Sequence, residues 1–469
     1  MPLGDERQNE LDRRMSEGTG SEGGPVDDAR ALYRTPAQRD CDRILYSSAF
    51  HRLASVTQVT ASESGRTFHN RLGHSLKVAQ VGRRNAERLR WMAQHKQLTG
   101  AAARLAETID PDAVQAACLA HDLGHPPFGH IAEQVLNAVA RDRVSDRFEG
   151  NAQSFRIVTN LAVRDDARGL DLTRRVLNGI LKYPWRHRPS DPVDDGVRER
   201  KWGYYEDDEE AYAFAREGWP EDMLEELPQR SFEAELMDWA DDLTYALHDM
   251  DDFYRAGLIP LHQLAQEGAD ELKRFEQLLY EARDDAPRSF PKLEIPEVVS
   301  TVHELCSVEG PVAPYHHTRD LRAVMREFGS KLITKYLEAF EIENAPDGKV
   351  LLKIDEDVRR EVEALKLLVG VYVIRRPGLA VVQHGQKKVI ADLFGWYYDA
   401  SPAGKDGDRR LFPPGARERL EQGGNSPPER ARVVIDLISG LTETSAVQLH
   451  RRLSGGWTAP TLDATAQVG

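Results

Sequence analysis

The chain has 469 residues, 40% of them hydrophobic and 30% charged, and its formal net charge at pH 7 is −15. This length suits two or three domains, the acidic balance argues against a nucleic-acid binder that uses its whole surface, and no apolar run approaches the roughly 18 residues of a membrane helix. The three widely spaced cysteines exclude a disulfide scaffold and a cysteine-ligated zinc site, and they indicate a reducing compartment, which predicts a cytoplasmic protein.

Apolar residues mostly recur at helical spacing and alternating β-branched runs are scarce, so the chain is predicted to be mostly α with little β. Residues 1–29 are polar and glycine-rich without the apolar run of a signal peptide, which predicts a disordered tail. A core over 30–258, a mainly helical C-terminal region over 259–456 and a second tail over 457–469 are expected to follow. Within the core, residues 186–219 are predicted to form a polar surface insertion, part of which folds over a ligand.

The first predicted helix that bears on chemistry runs over residues 70–94, where the apolar residues form one stripe. His74 lies between the first two residues of that stripe. Taken alone, a helical histidine is more often a structural residue than a ligand.

The densest group of reactive side chains is the decapeptide His121–His130, which reads His-Asp-Leu-Gly-His-Pro-Pro-Phe-Gly-His. An apolar run leads into it and its two prolines cannot continue a helix, so a helix is predicted to end near His121 and Asp122. The segment from His125 onward is then a rigid turn, and a new helix begins near Ile131. Adjacent His and Asp side chains at a helix end suit a divalent metal and accept several different cations. The alternative is a loop of solvated histidines.

A long helix is predicted from Ser231, as N-cap, to about Arg255. On it Asp241, Tyr245 and Asp249 are four residues apart and share one face. Like charges at this spacing repel by a few tenths of a kcal/mol per pair, roughly, and a cation or a donor-rich ligand removes that repulsion. Apolar residues surround much of the helix, which favours a ligand site over the alternative of a solvated acidic face.

The order of one histidine, a His-Asp pair and a late aspartate resembles the metal signature of the HD-domain phosphohydrolases. More narrowly, residues 34–254 are similar to the bacterial deoxyguanosine-triphosphate triphosphohydrolase-like (dNTP triphosphohydrolase) family, which implies an HD-type helical core. Besides the decapeptide, the blocks that carry this resemblance are Arg34-Thr-Pro … Arg39-Asp … Arg43-Ile, Ser48-Ala-Phe-His-Arg52-Leu … Gln58-Val, Asn70-Arg71-Leu-Gly-His74-Ser, Phe148-Glu-Gly-Asn-Ala-Gln153, Lys182-Tyr-Pro-Trp185 and Ala240-Asp-Asp-Leu-Thr-Tyr245-Ala-Leu-His-Asp249. The decapeptide together with the Phe148–Gln153 block is the most specific part.

The resemblance implies hydrolysis of a dNTP between the 5′ oxygen and the α-phosphorus, giving a deoxynucleoside and inorganic triphosphate. The implied catalytic pair is His130 with Glu133, where Glu133 orients His130 as a carboxylate orients a general base. The metal is expected to be Mn²⁺ or Mg²⁺, with Fe, Co, Ni or Zn as alternatives. Its implied ligands are His74, His121, Asp122 and Asp241.

The resemblance also implies contacts to the substrate. Arg71, His125 and Lys182 are expected to face the phosphates. Tyr245 and Asp249 are expected to hold the 3′-hydroxyl of the deoxyribose. A tyrosine close under the sugar leaves little room for a 2′-hydroxyl, which would produce a preference for deoxynucleotides.

Three outer residues are weaker candidates for substrate binding. Gln58 resembles the family position near the edge of the base, and Arg52 and Asn151 are further candidates. For each of them a structural ion pair or helix cap is an equal alternative.

Two other functions remain open at this point. One is a different HD phosphohydrolase, acting on nucleoside monophosphates, cyclic nucleotides or a guanosine alarmone. The other is a dNTP sensor or single-stranded nucleic-acid-binding protein that has lost catalysis. The resemblance implies a homo-oligomer of dimers, as a tetramer or hexamer, and the lack of a long apolar run predicts no membrane partner. Base preference and activation by a second dNTP, as in part of this family, stay open.

Overall fold

The predicted mostly α class is confirmed by the computed structural model, which is 69% helical and 4% strand. No helix of the described part of the chain is long and apolar enough to cross a bilayer. The described residues are 10–15, 33–58, 70–164, 167–188, 197–218, 228–286, 290–344, 350–402, 404, 407–423 and 426–456.

The helices divide into those that precede and those that follow residue 258, the predicted end of the core. The first group comprises α1 (Pro36–Leu45), α2 (Ser48–Arg52), α3 (Arg71–Gln94), α4 (Gly100–Thr108), α5 (Pro111–Ala120), α6 (His130–Ala140), α7 (Gly150–Arg156), α8 (Arg174–Ile180), α9 (Val197–Arg200), α10 (Glu209–Arg216) and α11 (Phe232–Arg255). The second comprises α12 (Leu261–Leu264), α13 (Asp270–Asp285), α14 (Ile295–Glu309), α15 (Arg319–Glu338), α16 (Glu356–Val369), α17 (Pro377–Ala400), α18 (Pro414–Gln422), α19 (Pro427–Ser439) and α20 (Glu443–Leu453).

Strands are few in the described residues, and they form two antiparallel pairs. The first pair is β1 (Val163–Arg164) with β2 (Ala167–Arg168), and the second is β3 (Phe340–Asn344) with β4 (Val350–Ile354). In the second pair Phe340 lies opposite Ile354.

The helices predicted around the reactive residues are confirmed. The α3 helix begins after Asn70, whose side chain accepts a hydrogen bond from the Gly73 amide, and α11 begins after Ser231, which caps it in the same way through Ala234. These caps satisfy amide groups that a helix leaves unpaired in its first turn. The turn between α5 and α6 is also as predicted, and α6 begins at His130, one residue before the expected start.

Two large hydrophobic cores hold the described part of the molecule together, beside one small cluster of three buried residues. The main core takes the apolar faces of α3, α5 and α11 and continues through the helices up to Val373. The second core joins Ala132 and Leu136 of α6 to residues of α17, α18, α19 and α20, such as Ile390 and Ile435. The C-terminal region therefore packs on both cores, and α6 rests on its last helices.

Two segments outside the helical core also make defined contacts. In the expected N-terminal tail, residues 10–15 are described, and buried Arg14 donates to Asp40 Oδ1 at 2.7 Å, so the disorder predicted for the tail does not hold for Arg14. In the expected insertion, Trp202 and Tyr205 are fully buried beside Ala152. The remaining residues of the two expected tails, and residues 189–196 and 219 of the insertion, lie outside the described residues.

Candidate active site

Four side chains, from α3, from α11 and from the two residues that directly follow α5, converge at the end of α5. We call His74, His121, Asp122 and Asp241 the His/Asp cluster. His74 Nε2 lies 3.0 Å from Asp241 Oδ1, and His121 Nε2 lies 3.6 Å from Asp122 Oδ1 and 3.7 Å from Asp241 Oδ1. Candidate ligand atoms of His74, His121 and Asp122 all lie within 4.8 Å of one another. The packing of α3, α5 and α11 in the main core thus brings together the four residues that the sequence predicted as ligands.

The orientation of His121 suits a metal ligand. Its Nδ1 is 2.6 Å from the Cys118 carbonyl oxygen, which can only accept, so Nδ1 carries the proton and Nε2 has a free lone pair. That Nε2 atom is buried and has no hydrogen-bond partner among the described residues. A buried polar atom without a partner is rare in a native protein unless an ion, water or ligand meets it, and a ligating histidine commonly donates its other nitrogen to a carbonyl. The residues present therefore fit a divalent cation.

Each aspartate of the cluster is paired with a cation through one oxygen and faces the histidines through the other. Arg71 Nη1 donates to Asp122 Oδ2 at 2.9 Å, and Lys182 Nζ donates to Asp241 Oδ2 at 3.0 Å. Burial alone would raise both aspartate pKa values. The charges of Arg71 and Lys182 outweigh it, with help from the nearby histidines, and hold the pKa of Asp122 and Asp241 well below the usual range. Both carboxylates are therefore ionised at neutral pH.

The second group is the His–Glu pair, His130 and Glu133, in the first turn of α6. His130 Nδ1 lies 2.5 Å from Glu133 Oε2, and the His130 side chain is 70% exposed while that of Glu133 is 12% exposed. Burial opposes ionisation of Glu133, but the adjacent histidine outweighs it and lowers the Glu133 pKa. An ionised carboxylate accepts the Nδ1 proton and leaves Nε2 of His130 able to take a proton.

His125 links the His/Asp cluster to the His–Glu pair. Its Nδ1 lies 2.9 Å from Asp122 Oδ1, and its Nε2 lies 3.8 Å from Glu133 Oε1. Burial and the positive charge of Arg71 lower the His125 pKa, so the ring is neutral at neutral pH. The two groups are thus neighbours in one site rather than separate features of the surface.

The turn between α5 and α6 is held by close contact with α7. The Gly124 amide donates to Ser154 Oγ at 2.8 Å, and a side chain at Gly124 would overlap the backbone of Gly150 and Ser154. In turn, a side chain at Gly150 would overlap Glu133 Oε1. The Phe148–Gln153 block therefore supports the turn through tight packing. Only glycine fits at positions 124 and 150, because neighbouring atoms lie too close for a side chain.

The residues predicted to meet the sugar lie further along the same face of α11. Asp249 is buried, and its Oδ2 atom has no hydrogen-bond partner in the described part of the chain. Burial and the neighbouring Asp252 raise the Asp249 pKa well above its usual range. Burial, together with the charges of Asp249 and Asp241, likewise raises the Tyr245 pKa. The charge of Asp241 raises the pKa of both groups, so both lie near the His/Asp cluster.

The three outer candidates differ in their contacts. Arg52 donates to the backbone carbonyls of Leu123 and His125 at 2.7 and 2.8 Å, and Asn151 Nδ2 donates to Glu149 at 2.9 Å. These contacts favour the structural alternative for Arg52 and Asn151. The Oε1 atom of Gln58 is buried and has no hydrogen-bond partner among the described residues, so the expected contact with the base stays a prediction.

Sequence reasoning gave no role to three polar residues that reach the site. Asp238 binds Lys182 at 2.6 Å, and its position three residues before Asp241 on one helix was a usable signal. Lys201 Nζ lies 2.7 Å from Glu149, and its charge also lowers the Glu133 pKa. Glu443 comes from α20, and no motif in the C-terminal region pointed to it.

Two family models match the chain. The HD domain model covers residues 71–246, which include the His/Asp cluster and the His–Glu pair, and the phosphohydrolase-associated domain model covers residues 352–452. A deoxyguanosinetriphosphate triphosphohydrolase-like protein of Streptomyces coelicolor is 35% identical over 90% of this chain and 93% of its own length. Proteins of the same name from Corynebacterium efficiens and Shewanella woodyi are 32% and 28% identical, each over 90% of this chain and 92% of theirs.

Proposed function

Since the chain belongs to the deoxyguanosinetriphosphate triphosphohydrolase-like family and is an HD-type phosphohydrolase, we propose that it hydrolyses deoxynucleoside triphosphates to a deoxynucleoside and inorganic triphosphate. The observation that carries this proposal is the contact of the His/Asp cluster with the His–Glu pair through His125. A cation site and a proton acceptor side by side suit the attack of water on a phosphorus atom.

The His/Asp cluster would hold a divalent cation, Mn²⁺ or Mg²⁺, through the imidazoles of His74 and His121 and the carboxylates of Asp122 and Asp241. When bound, such an ion supplies Lewis-acid polarisation of a phosphate oxygen and lowers the pKa of bound water. The support from this chain is the partnerless Nε2 of His121 and the ionised state of both aspartates.

In this proposal, His130 Nε2 takes the proton from the attacking water while Glu133 holds the other ring nitrogen. The bond from water oxygen to the α-phosphorus forms as the bond to the 5′ oxygen breaks. The 5′ oxygen takes a proton from solvent, and the exposed imidazole of His130 returns to solvent the proton that it took from water. Because His130 is largely exposed and Glu133 is largely buried, the imidazole can reach a substrate while its partner stays fixed. Exclusion of water around the phosphates by bound substrate would strengthen these interactions.

The proposal assigns the remaining polar groups to substrate binding. Arg71 and Lys182 already neutralise the cluster carboxylates, and they contribute positive charge toward the phosphates. His125 stands between the two groups as a neutral imidazole and is proposed to contact the phosphate. Tyr245 and Asp249 are proposed to contact the sugar, since Asp249 offers a buried carboxyl oxygen without a partner in the described residues.

The test is identification of products. Purified protein is incubated with Mn²⁺ or Mg²⁺ and each dNTP, singly and in mixtures, and products are separated by ion-exchange chromatography. Triphosphate and deoxynucleoside in equal amounts are expected. Release of pyrophosphate or orthophosphate would reject the proposal, and turnover only in mixtures would indicate an activating nucleotide. His130→Ala serves as the control for contaminating phosphatases.

A further inference from the structure

The turn that carries the His–Glu pair is held by residues far along the chain. The Glu443 carboxylate accepts hydrogen bonds from the Thr57 amide at 2.9 Å, from the Thr57 hydroxyl at 2.8 Å and from the Phe128 amide at 3.3 Å. Phe128 lies two residues before His130 and has a φ of 69°, in the left-handed region that side chains other than glycine rarely adopt. The hydrogen bond to the Phe128 amide therefore stabilises a residue whose backbone conformation is intrinsically unfavourable.

Arg52 makes a second set of contacts with the same turn, through its backbone carbonyls. The guanidinium of Arg52 donates to the carbonyls of Leu123 and His125, and it also donates to the Leu441 carbonyl at 3.1 Å. Leu441 is only two residues before Glu443. The short segment between α19 and α20 thus reaches the turn through Arg52 on one side and through Glu443 on the other.

The helix that follows the turn is supported by the same part of the chain. Ala132 and Leu136 of α6 are fully buried in the second core, which is otherwise built largely from C-terminal helices. Buried Asp436 of α19 accepts from Gln153 of α7 at 3.0 Å, and α7 is the helix against which the turn packs. The helices α6 and α7, which follow the turn and pack against it, are therefore both anchored to the C-terminal helices.

We infer that Glu443 is a positioning residue for the catalytic turn, setting the place of His130 through the Phe128 amide and the place of Gln58 through Thr57. It touches neither the metal ligands nor the reacting atoms. The C-terminal region is on this inference a working part of the active site rather than a separate domain. The inference rests on the proposed function, because a misplaced general base matters only if His130 takes a proton from water.

Glu443→Ala is expected to lower kcat about tenfold or more, since displacement of a catalytic group by a fraction of an ångström to 1 Å can cost up to about a hundredfold. KM is expected to change less than kcat, because Gln58 is one of several proposed substrate contacts, and bound metal is expected to stay unchanged, because Glu443 contacts Thr57 and Phe128 rather than any residue of the His/Asp cluster. Glu443→Gln is expected to restore kcat. Its amide oxygen can accept from the two backbone amides, and its amide nitrogen can donate to the Thr57 hydroxyl.

The matched control is Glu418→Ala, because Glu418 is an exposed glutamate of the same region that accepts from Gln422 within its own helix. It is expected to leave kcat, KM and metal content unchanged. A kcat for Glu443→Ala within about twofold of the wild type would overturn the inference, and so would equal loss of kcat and of bound metal, which would mean general unfolding of the site.

Hydrogen–deuterium exchange separates failure of this inference from failure of the proposed function. Faster exchange of the amides from His125 to His130 in Glu443→Ala, but not in Glu418→Ala, is expected whatever the enzyme hydrolyses. Unchanged exchange would overturn the inference even if the wild type releases triphosphate. If the wild type releases no triphosphate while the turn still loosens, the proposed function fails and the contact of Glu443 with the turn stands.

Discussion

The His/Asp cluster is assembled from α3, α5 and α11, which pack against one another in the main core, whereas the His–Glu pair comes from one turn of α6 that rests on the C-terminal helices. His74, His121 and Asp122 are buried, and the aspartates are balanced by Arg71 and Lys182. His130 is mostly exposed. The cluster is thus suited to holding a charged group in a fixed place, and the pair is suited to contacting a substrate. Substitutions in the cluster should therefore reduce metal binding, whereas substitutions in the pair should reduce turnover alone.

Loss of a cluster carboxylate should give the largest effect. Asp241→Asn removes the negative charge that faces His74 and His121. Metal affinity is expected to fall by more than about a hundredfold, because losing even a partner of a ligand costs about ten- to a hundredfold. Turnover should fall with it. Metal content by elemental analysis and triphosphate release measure the two losses.

The matched control for that change is Asp242→Asn. Asp242 is the next residue on α11 but faces Lys366 at 3.1 Å. It should keep both metal and activity, and equal metal loss in the two variants would mean that Asp241 is not a specific ligand.

Loss of the pair should be nearly as severe for turnover but should spare the metal. His130→Ala is expected to lower kcat by about 10²- to 10⁴-fold, the usual contribution of a general base, with wild-type metal content. His384→Ala, which removes an exposed histidine of α17, is the comparison. Full activity of His130→Ala would show that His130 is not the general base. Loss of metal in this variant would show that the His–Glu pair and the His/Asp cluster are not independent.

Substitution of Tyr245 tests whether the face of α11 that carries Asp241 determines the preference for deoxynucleotides over ribonucleotides. Tyr245→Ala is expected to reduce the preference for dNTPs over ribonucleotides by about tenfold or more, since a pocket that rejects one extra hydroxyl by crowding commonly gains up to about a hundredfold. Tyr245→Phe should keep the preference because it keeps the ring. The measurement is the ratio of kcat/KM for the paired nucleotides, and an unchanged ratio in Tyr245→Ala would place the selection elsewhere.

The smallest effect is expected from a carboxyl that no described cation balances directly. Burial and Asp252 raise the Asp249 pKa above its ordinary 3.8, so the folded state holds the proton more tightly than the unfolded chain. Ionisation therefore lowers stability as pH rises above the ordinary value and through the raised one. Asp249→Asn removes this penalty and is expected to raise the free energy of unfolding at about pH 8, with no change at about pH 3.

Thermal unfolding at those two pH values measures the Asp249 effect. Asp241→Asn should behave in the opposite sense, because the pKa of Asp241 is lowered and its ionised form stabilises the folded state above the ordinary value. A lower melting temperature of Asp249→Asn at both pH values would contradict the account of Asp249 as a group whose ionisation is disfavoured by burial.

The parts of the site that depend on interactions between residues close in sequence could be predicted, and the parts that depend on contacts between distant residues could not. Helical periodicity and the prolines act locally, so α3, α11 and the turn after Asp122 were predicted in nearly their observed places. The metal-ligand set came from spacing and resemblance together, and the structure brings its four members together. The contacts of Arg14 could not be predicted, because its partners, the Asp40 carboxylate and the carbonyls of Pro36 and Asp171, are polar groups distant in sequence and leave no apolar pattern.

The contacts of Glu443 and Arg52 that support the turn before the His–Glu pair could not be predicted for a different reason. Glu443 meets Thr57 across 386 residues of sequence, and Arg52 meets Leu441 across 389. A single glutamate at the start of a helix looks like an ordinary favourable charge at a helix N-terminus, and nothing in its neighbourhood shows that a distant amide needs an acceptor. Arg52 was therefore weighed as a substrate contact, although its donors meet backbone carbonyls of the turn.

The central claim is that water assisted by His130 attacks the α-phosphorus beside the His/Asp cluster. Hydrolysis of a dNTP in water enriched in heavy oxygen tests it most directly, with mass spectrometry of both products. The account predicts one heavy oxygen in the released triphosphate and none in the deoxynucleoside. Heavy oxygen in the deoxynucleoside would mean attack at carbon, and labelled orthophosphate or pyrophosphate would mean attack at another phosphorus; either result would contradict the account.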